Sequence, residues 1–171
     1  MKIVMFYHSV VSDWNHGNAH FLRGIATELI NRGHAVDIYE PQDGWSVSNL
    51  IAMHGSEALR EFRVRFPLLK SKTYTLDNLD LDRALDGADL VIVHEWNDPA
   101  LVRGVGRHRF QSGGQYRLFF HDTHHRAVTA PEQMQQAVAE AKLGEPAGMA
   151  RVLAWLASDE ADYVRGVITT R

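Results

Sequence analysis

Phe119-Phe120-His121-Asp122-Thr123-His124-His125-Arg126 joins an apolar run to a cluster of imidazoles and charges. Tyr116 to Phe120 reads as a short buried strand, so the polar run begins at its carboxyl end. In open α/β sheets that end opens into the ligand crevice. Two further apolar runs finish alike: Ile3-Val4-Met5-Phe6-Tyr7 in His8, and Leu90-Val91-Ile92-Val93 in His94-Glu95-Trp96. Continuous apolar runs of this length belong to strands buried on both faces of a parallel sheet. The expectation is an α/β, Rossmann-like parallel sheet of about four to five strands with helices on both faces and its polar strand ends at one edge.

Working outward, the first strand leads through a polar loop, Ser9 to Asn18, into a helix with Phe21, Leu22, Ile25, Leu29 and Ile30 on one face. Asn18 is placed to cap that helix and Gly33 to end it, by the usual preferences at helix termini. Ala35 to Tyr39 follows as a second strand, completing a right-handed βαβ unit with parallel strands. Asp43 to Pro67 reads as a loop plus a helix with Leu50, Ile51, Leu59, Phe62 and Phe66 apolar; its Arg60, Arg63 and Arg65 suit a solvated face. Lys72 to Leu76 is a short strand, Leu79 to Leu85 a short helix, and Ala88 to Val93 the clearest strand. Asp98 and Pro99 suit the start of a helix running to about His108.

Composition narrows the function. The chain has 171 residues, 45% hydrophobic and 23% charged, enough for one domain with a real core but not for two full α/β domains. A net charge of −3 leaves no electrostatic footprint for nucleic acid. The absence of cysteine excludes disulfides and thiol chemistry and fits a reducing compartment. Ile3 to Tyr7 is too short for a secretion signal or a membrane span, so a cytoplasmic protein is expected. All ten His lie at or before His125, and the sequence after about Ala130 turns Ala-, Glu- and Gln-rich, which marks a boundary.

The chemistry points to binding more than to bond-breaking. The first loop lacks G-x-G-x-x-G and is long for a dinucleotide turn, so Glu40, at the place of a ribose-binding acid, reads as structural. A metal at His121-Asp122-Thr123-His124-His125 is disfavoured, because adjacent side chains of an extended segment diverge. A Ser/His/Asp triad from Ser9, His94 or His121, and Asp122 lacks a nucleophile elbow. Recognition of a hydroxyl-rich ligand fits better. Imidazole offers one donor and one acceptor, Asn15 and Asn18 offer amides, Asp122 and Glu95 accept, and Trp14 and Trp96 give flat apolar faces.

Lys2 to Pro41, with Ser12-Asp13-Trp14-Asn15 and the passage Leu29-Ile30-Asn31-Arg32-Gly33-His34-Ala35-Val36, resembles the start of bacterial glycosyltransferases of the GT-B fold. Their helix-to-strand passage is L-x-x-R-G-H-x-V. Asp89 to Glu95 and Phe120 to Arg126 resemble later strands of the same amino-terminal half, and the resemblance covers residues 1–132. It implies a half that binds mainly the acceptor, with the nucleotide-sugar held by a second Rossmann-like half and the site between them. The residues it turns toward that cleft are His8, Asn15, His16, Gly17, Asn18, His94, Glu95, Trp96, His121, Asp122, His124, His125 and Arg126. No catalytic residue, cofactor or metal is assigned. A sugar or glycosyl acceptor and a separate donor-binding domain are the partners implied, with no nucleic acid and no membrane span.

The segment 133–171 is read as a helical tail. Gly144-Glu145-Pro146 through Met149-Ala150, then Ala154-Trp155-Leu156-Ala157-Ser158-Asp159-Glu160-Ala161-Asp162-Tyr163-Val164-Arg165-Gly166, resembles the carboxyl-terminal end of short-chain dehydrogenases/reductases. The catalytic Y-x-x-x-K pair of that family is missing, with no Lys after residue 142. The chain therefore reads as an incomplete glycosyltransferase, its acceptor-side half joined near Pro131 to a dehydrogenase-like tail and inactive alone. A non-catalytic binding module or fusion remnant, and an NAD(P)-dependent oxidoreductase fragment, are the alternatives.

Overall fold

The computed structural model describes residues 1–12, 14, 18–113 and 115–121. Within them the chain runs β1 (Lys2–Phe6), α1 (Asn18–Asn31), β2 (Ala35–Pro41), α2 (Trp45–His54), α3 (Glu57–Arg65), β3 (Ser71–Tyr74), α4 (Leu81–Leu85), β4 (Leu90–His94), α5 (Pro99–Gln111) and β5 (Arg117–His121). The strands form one five-stranded sheet in the order β3-β2-β1-β4-β5, and every neighbouring pair is parallel. This is the Rossmann-like arrangement expected. The chain winds outward from β1 through β2 to β3, crosses back, and winds the other way through β4 to β5. The reversal falls between β1 and β4, and in such sheets ligands bind outside the carboxyl ends at that switch point.

Helices cover both faces. On one, Val4, Phe6, Val91, Val93 and Leu118 pack with Ala84 and Leu85 of α4 and Leu101, Val102 and Val105 of α5. On the other, Ile3, Met5 and Ile38 pack with Leu22 and Ala26 of α1 and Phe62 of α3. Alternate residues of β1 thus feed opposite cores, which is why its sequence is unbroken by polar residues. Each fully buried Val, Leu, Ile, Met or Phe among them contributes roughly 1.5–3 kcal/mol.

Local signals explain most boundaries. Gly33 sits at φ +81°, where its N–H reaches Ile30 O at 2.9 Å while His34 N–H reaches Leu29 O at 3.0 Å; this closes α1 in the left-handed turn that glycine permits. Asp98 caps α5 by accepting from Ala100 N–H at 2.7 Å. Some boundaries differ from the sequence reading. Asn18 is the first residue of α1 rather than its cap. The single helix expected within Asp43 to Pro67 is two, parted at Gly55 with φ +72°, and Ile51 is exposed while Phe62 is buried. The helix expected from Leu79 starts at Leu81, because Asp80 accepts from Arg83 N–H at 3.0 Å and fixes the first turn there. No described helix is long and apolar enough to cross a membrane. The tail expected at 133–171 lies outside the described residues, as does the boundary near residue 132.

Candidate site at the carboxyl edge of the sheet

Because all strands run one way, their carboxyl ends share one edge, and the three strand-end imidazoles meet there. His8 follows β1, while His94 and His121 end β4 and β5 in paired register. Ring centroids lie 5.5 Å apart for His8 and His94, and 5.1 Å for His94 and His121. Tyr7, just past β1, stacks on His94 at 4.9 Å and brings its hydroxyl within 2.7 Å of His121 Nδ1. His94 Nδ1 accepts the Trp96 N–H at 3.3 Å, and its Nε2 faces the Asn18 side-chain amide at 3.5 Å. His8 and His94 therefore flank the switch point, and His121 stands one strand further along.

Depth separates these residues into two layers. His94 and Glu95 are wholly buried, and His8 nearly so; they form the floor of the edge. His121 and Asn18 are partly exposed, and Trp96 is 39% exposed. Burial lowers the His121 pKa, against the smaller opposing pull of the Glu95 carboxylate, so its imidazole is held neutral at physiological pH.

An aromatic rim extends the floor. Trp45, 41% exposed, lies parallel to His8 at 6.0 Å and edge-on to Trp96 at 6.5 Å and Trp14 at 5.8 Å. Three of the chain's four tryptophans thus border one edge. Gly44 eases this approach: a Cβ there would stand 3.2 Å from His8 O and 3.4 Å from Pro41 O, so a larger residue would press the start of α2 back from the end of β1 by a few tenths of an ångström. Ser12 and Ser46 lock the same junction, with Ser12 Oγ–H donating to Ser46 O at 2.9 Å.

The first loop is held by two buried charged groups. Glu40 accepts from Val10 N–H and, at 3.4 Å, from Val11 N–H. Arg23 donates to Val10 O at 2.8 Å and Val11 O at 3.0 Å. Glu40 is thereby turned to the loop backbone, the structural role expected of it. A residue that the sequence reading missed is Asn97, fully buried. Its Nδ2 donates to Phe6 O at 2.8 Å and His94 O at 2.9 Å, and its Oδ1 accepts from Tyr74 O–H at 3.1 Å. It ties β1, β3 and β4 together at the switch point.

Of the other residues expected at the site, Asn15, His16, Gly17, Asp122, His124, His125 and Arg126 lie outside the described residues. Among the described residues no three His, Asp or Glu side chains are grouped so as to hold a metal ion. No family model, no curated protein and no solved structure matches the chain.

Proposed function

We propose that this sheet edge is the acceptor-side wall of a GT-B-type glycosyltransferase, holding a sugar or other hydroxyl-rich small molecule. The observation that carries the reading is the convergence of His8, His94 and His121 beside the switch point, rimmed by Trp45 and Trp96. Indole faces suit the C–H faces of a sugar ring, and the partly exposed polar groups, His121 and Asn18, supply directional hydrogen bonds. His8, His94 and Glu95 support that layer from beneath. Glycosyl transfer needs groups converging on both donor and acceptor, and the residues assembled here line one wall. The nucleotide-sugar is assigned to a separate donor-binding domain, and the polypeptide alone binds without transferring. No observation favours the oxidoreductase alternative, since Glu40 is occupied by the loop backbone instead of facing a ribose.

The test is a ¹H–¹⁵N NMR titration of the full chain with a panel of simple glycosides, beside an assay for nucleotide-sugar turnover. Shifts confined to the indole and imidazole signals of Trp45, Trp96 and His121, without turnover, are expected. Turnover abolished by His121→Ala would overturn the one-wall reading. Shifts elsewhere, or none with any glycoside, would overturn the binding reading.

A further inference from the structure

The buried phenol of Tyr7 sets the chemistry of the imidazole beside it. Among the described residues its hydroxyl meets one polar atom, His121 Nδ1, at 2.7 Å. A buried phenol O–H donates wherever an acceptor is in reach, because a buried donor left unmade is costly. Burial also raises the Tyr7 pKa far above its usual value, which keeps the proton on oxygen. The accepting Nδ1 must then carry a lone pair, and in the neutral ring the hydrogen resides on Nε2. No hydrogen bond to His121 Nε2 is found among the described residues. Among the described residues, the groups around the ring are Tyr7 after β1, His94 and Glu95 at the end of β4, and Phe21 of α1.

We propose that Tyr7 is a positioning and specificity-determining residue: it locks His121 as the Nε2–H tautomer, so the ligand atom meeting this imidazole is a hydrogen-bond acceptor, a hydroxyl or anionic oxygen. The ligand half of this statement rests on the binding reading above, whereas the tautomer half does not. In this state His121 gives a hydrogen bond at Nε2 and cannot take a proton there.

The test is the long-range ¹H–¹⁵N correlation of the imidazoles in the ¹⁵N-labelled full chain at pH 7.5, with His121 assigned by its loss in His121→Gln. A pyridine-type Nδ1 and a pyrrole-type Nε2 are expected. Tyr7→Phe keeps the ring and removes the donor, and should move both signals toward the average of two exchanging tautomers with an unchanged far-UV circular dichroism spectrum. Titration with methyl β-D-glucopyranoside, and separately with inorganic phosphate, distinguishes a hydroxyl from an anionic oxygen. The probe that binds should shift the Nε2 signal and bind about twofold more weakly to Tyr7→Phe, because only the Nε2–H share of two exchanging tautomers is competent to bind. A wild-type Nδ1–H tautomer overturns the proposal, and that spectrum decides it even where Tyr7→Phe fails to fold. So does a Tyr7→Phe protein whose His121 signals stay in place. The expected tautomer with neither probe bound overturns the ligand half and leaves the lock intact, while the glycoside panel above decides the binding reading itself.

Discussion

Removing the Asn97 side chain by Asn97→Ala severs three buried hydrogen bonds, two donated to Phe6 O and His94 O and one accepted from Tyr74 O–H. At about 0.5–1.5 kcal/mol net for each neutral bond, the direct loss is roughly 1.5–4.5 kcal/mol. Tyr74 is itself buried, so its orphaned hydroxyl adds to the cost, and a loss of about 3–4 kcal/mol is expected. Against a total stability of about 5–15 kcal/mol, that is a large share. The assay is urea unfolding followed by tryptophan fluorescence and circular dichroism, with Tyr74→Phe and the double variant completing a cycle. Tyr74→Phe alone should cost about 1 kcal/mol, and the double variant should fall short of the sum by about 1 kcal/mol, because it leaves no orphaned hydroxyl. Asn97→Asp should be worse than Asn97→Ala at pH 8, since a carboxylate would face two carbonyl oxygens with nothing to donate. That excess should shrink on acidification, as protonation restores a donor. An Asn97→Ala loss below about 1 kcal/mol, or an Asn97→Asp protein as stable as the wild type at pH 8, would refute the account of Asn97 as the tie between strands.

Three further outcomes are expected. Glu40→Ala should cost about 2–4 kcal/mol, because charge-assisted bonds to Val10 and Val11 N–H are lost in a buried place; an unfolding midpoint that does not move in urea would contradict this. The lowered His121 pKa means that the unfolded state binds more protons just below pH 6.5. Stability is then fully present above that value and declines as pH falls through the folded-state pKa. His121→Gln should flatten this acid limb of the melting temperature against pH, and an unchanged limb would assign it to other groups. Asp37→Asn removes the exposed pair with Lys72 and should cost less than about 1 kcal/mol, with the difference gone in 1 M salt; a larger, salt-insensitive loss would show that the pair is not simply solvated.

The meeting of His8, His94 and His121 was legible because it needs only two inferences, that each apolar run is a strand and that the strands are parallel. A parallel sheet then brings every carboxyl end to one edge, whatever the strand order. Glu40 was legible for a similar reason, since a first loop without its glycines leaves no ribose for it to bind. Asn97 was not legible. It follows its strand like any polar loop residue, and its role depends on Phe6 O and Tyr74 O–H, which only the folded sheet brings to it. Trp45 escaped notice because its place against His8 depends on the close approach at Gly44. Burial of His94 and Glu95 was equally hidden, as sequence marks a strand end without saying how deep it lies.

The pairing of β1 with β4 joins Ile3 to Leu90, the first strand to one encoded far downstream. At a synthesis rate of about 5–20 residues per second, β1 leaves the ribosome several seconds before the strand that completes its second side. Until then its apolar run has β2 on one side and an open hydrogen-bonding edge on the other, a state prone to mispairing. The contact that closes this edge is also the one that creates the switch point. The nascent chain therefore gains its switch-point edge and the closure of its open β1 flank in one late, slow event, set by loop closure over a long separation.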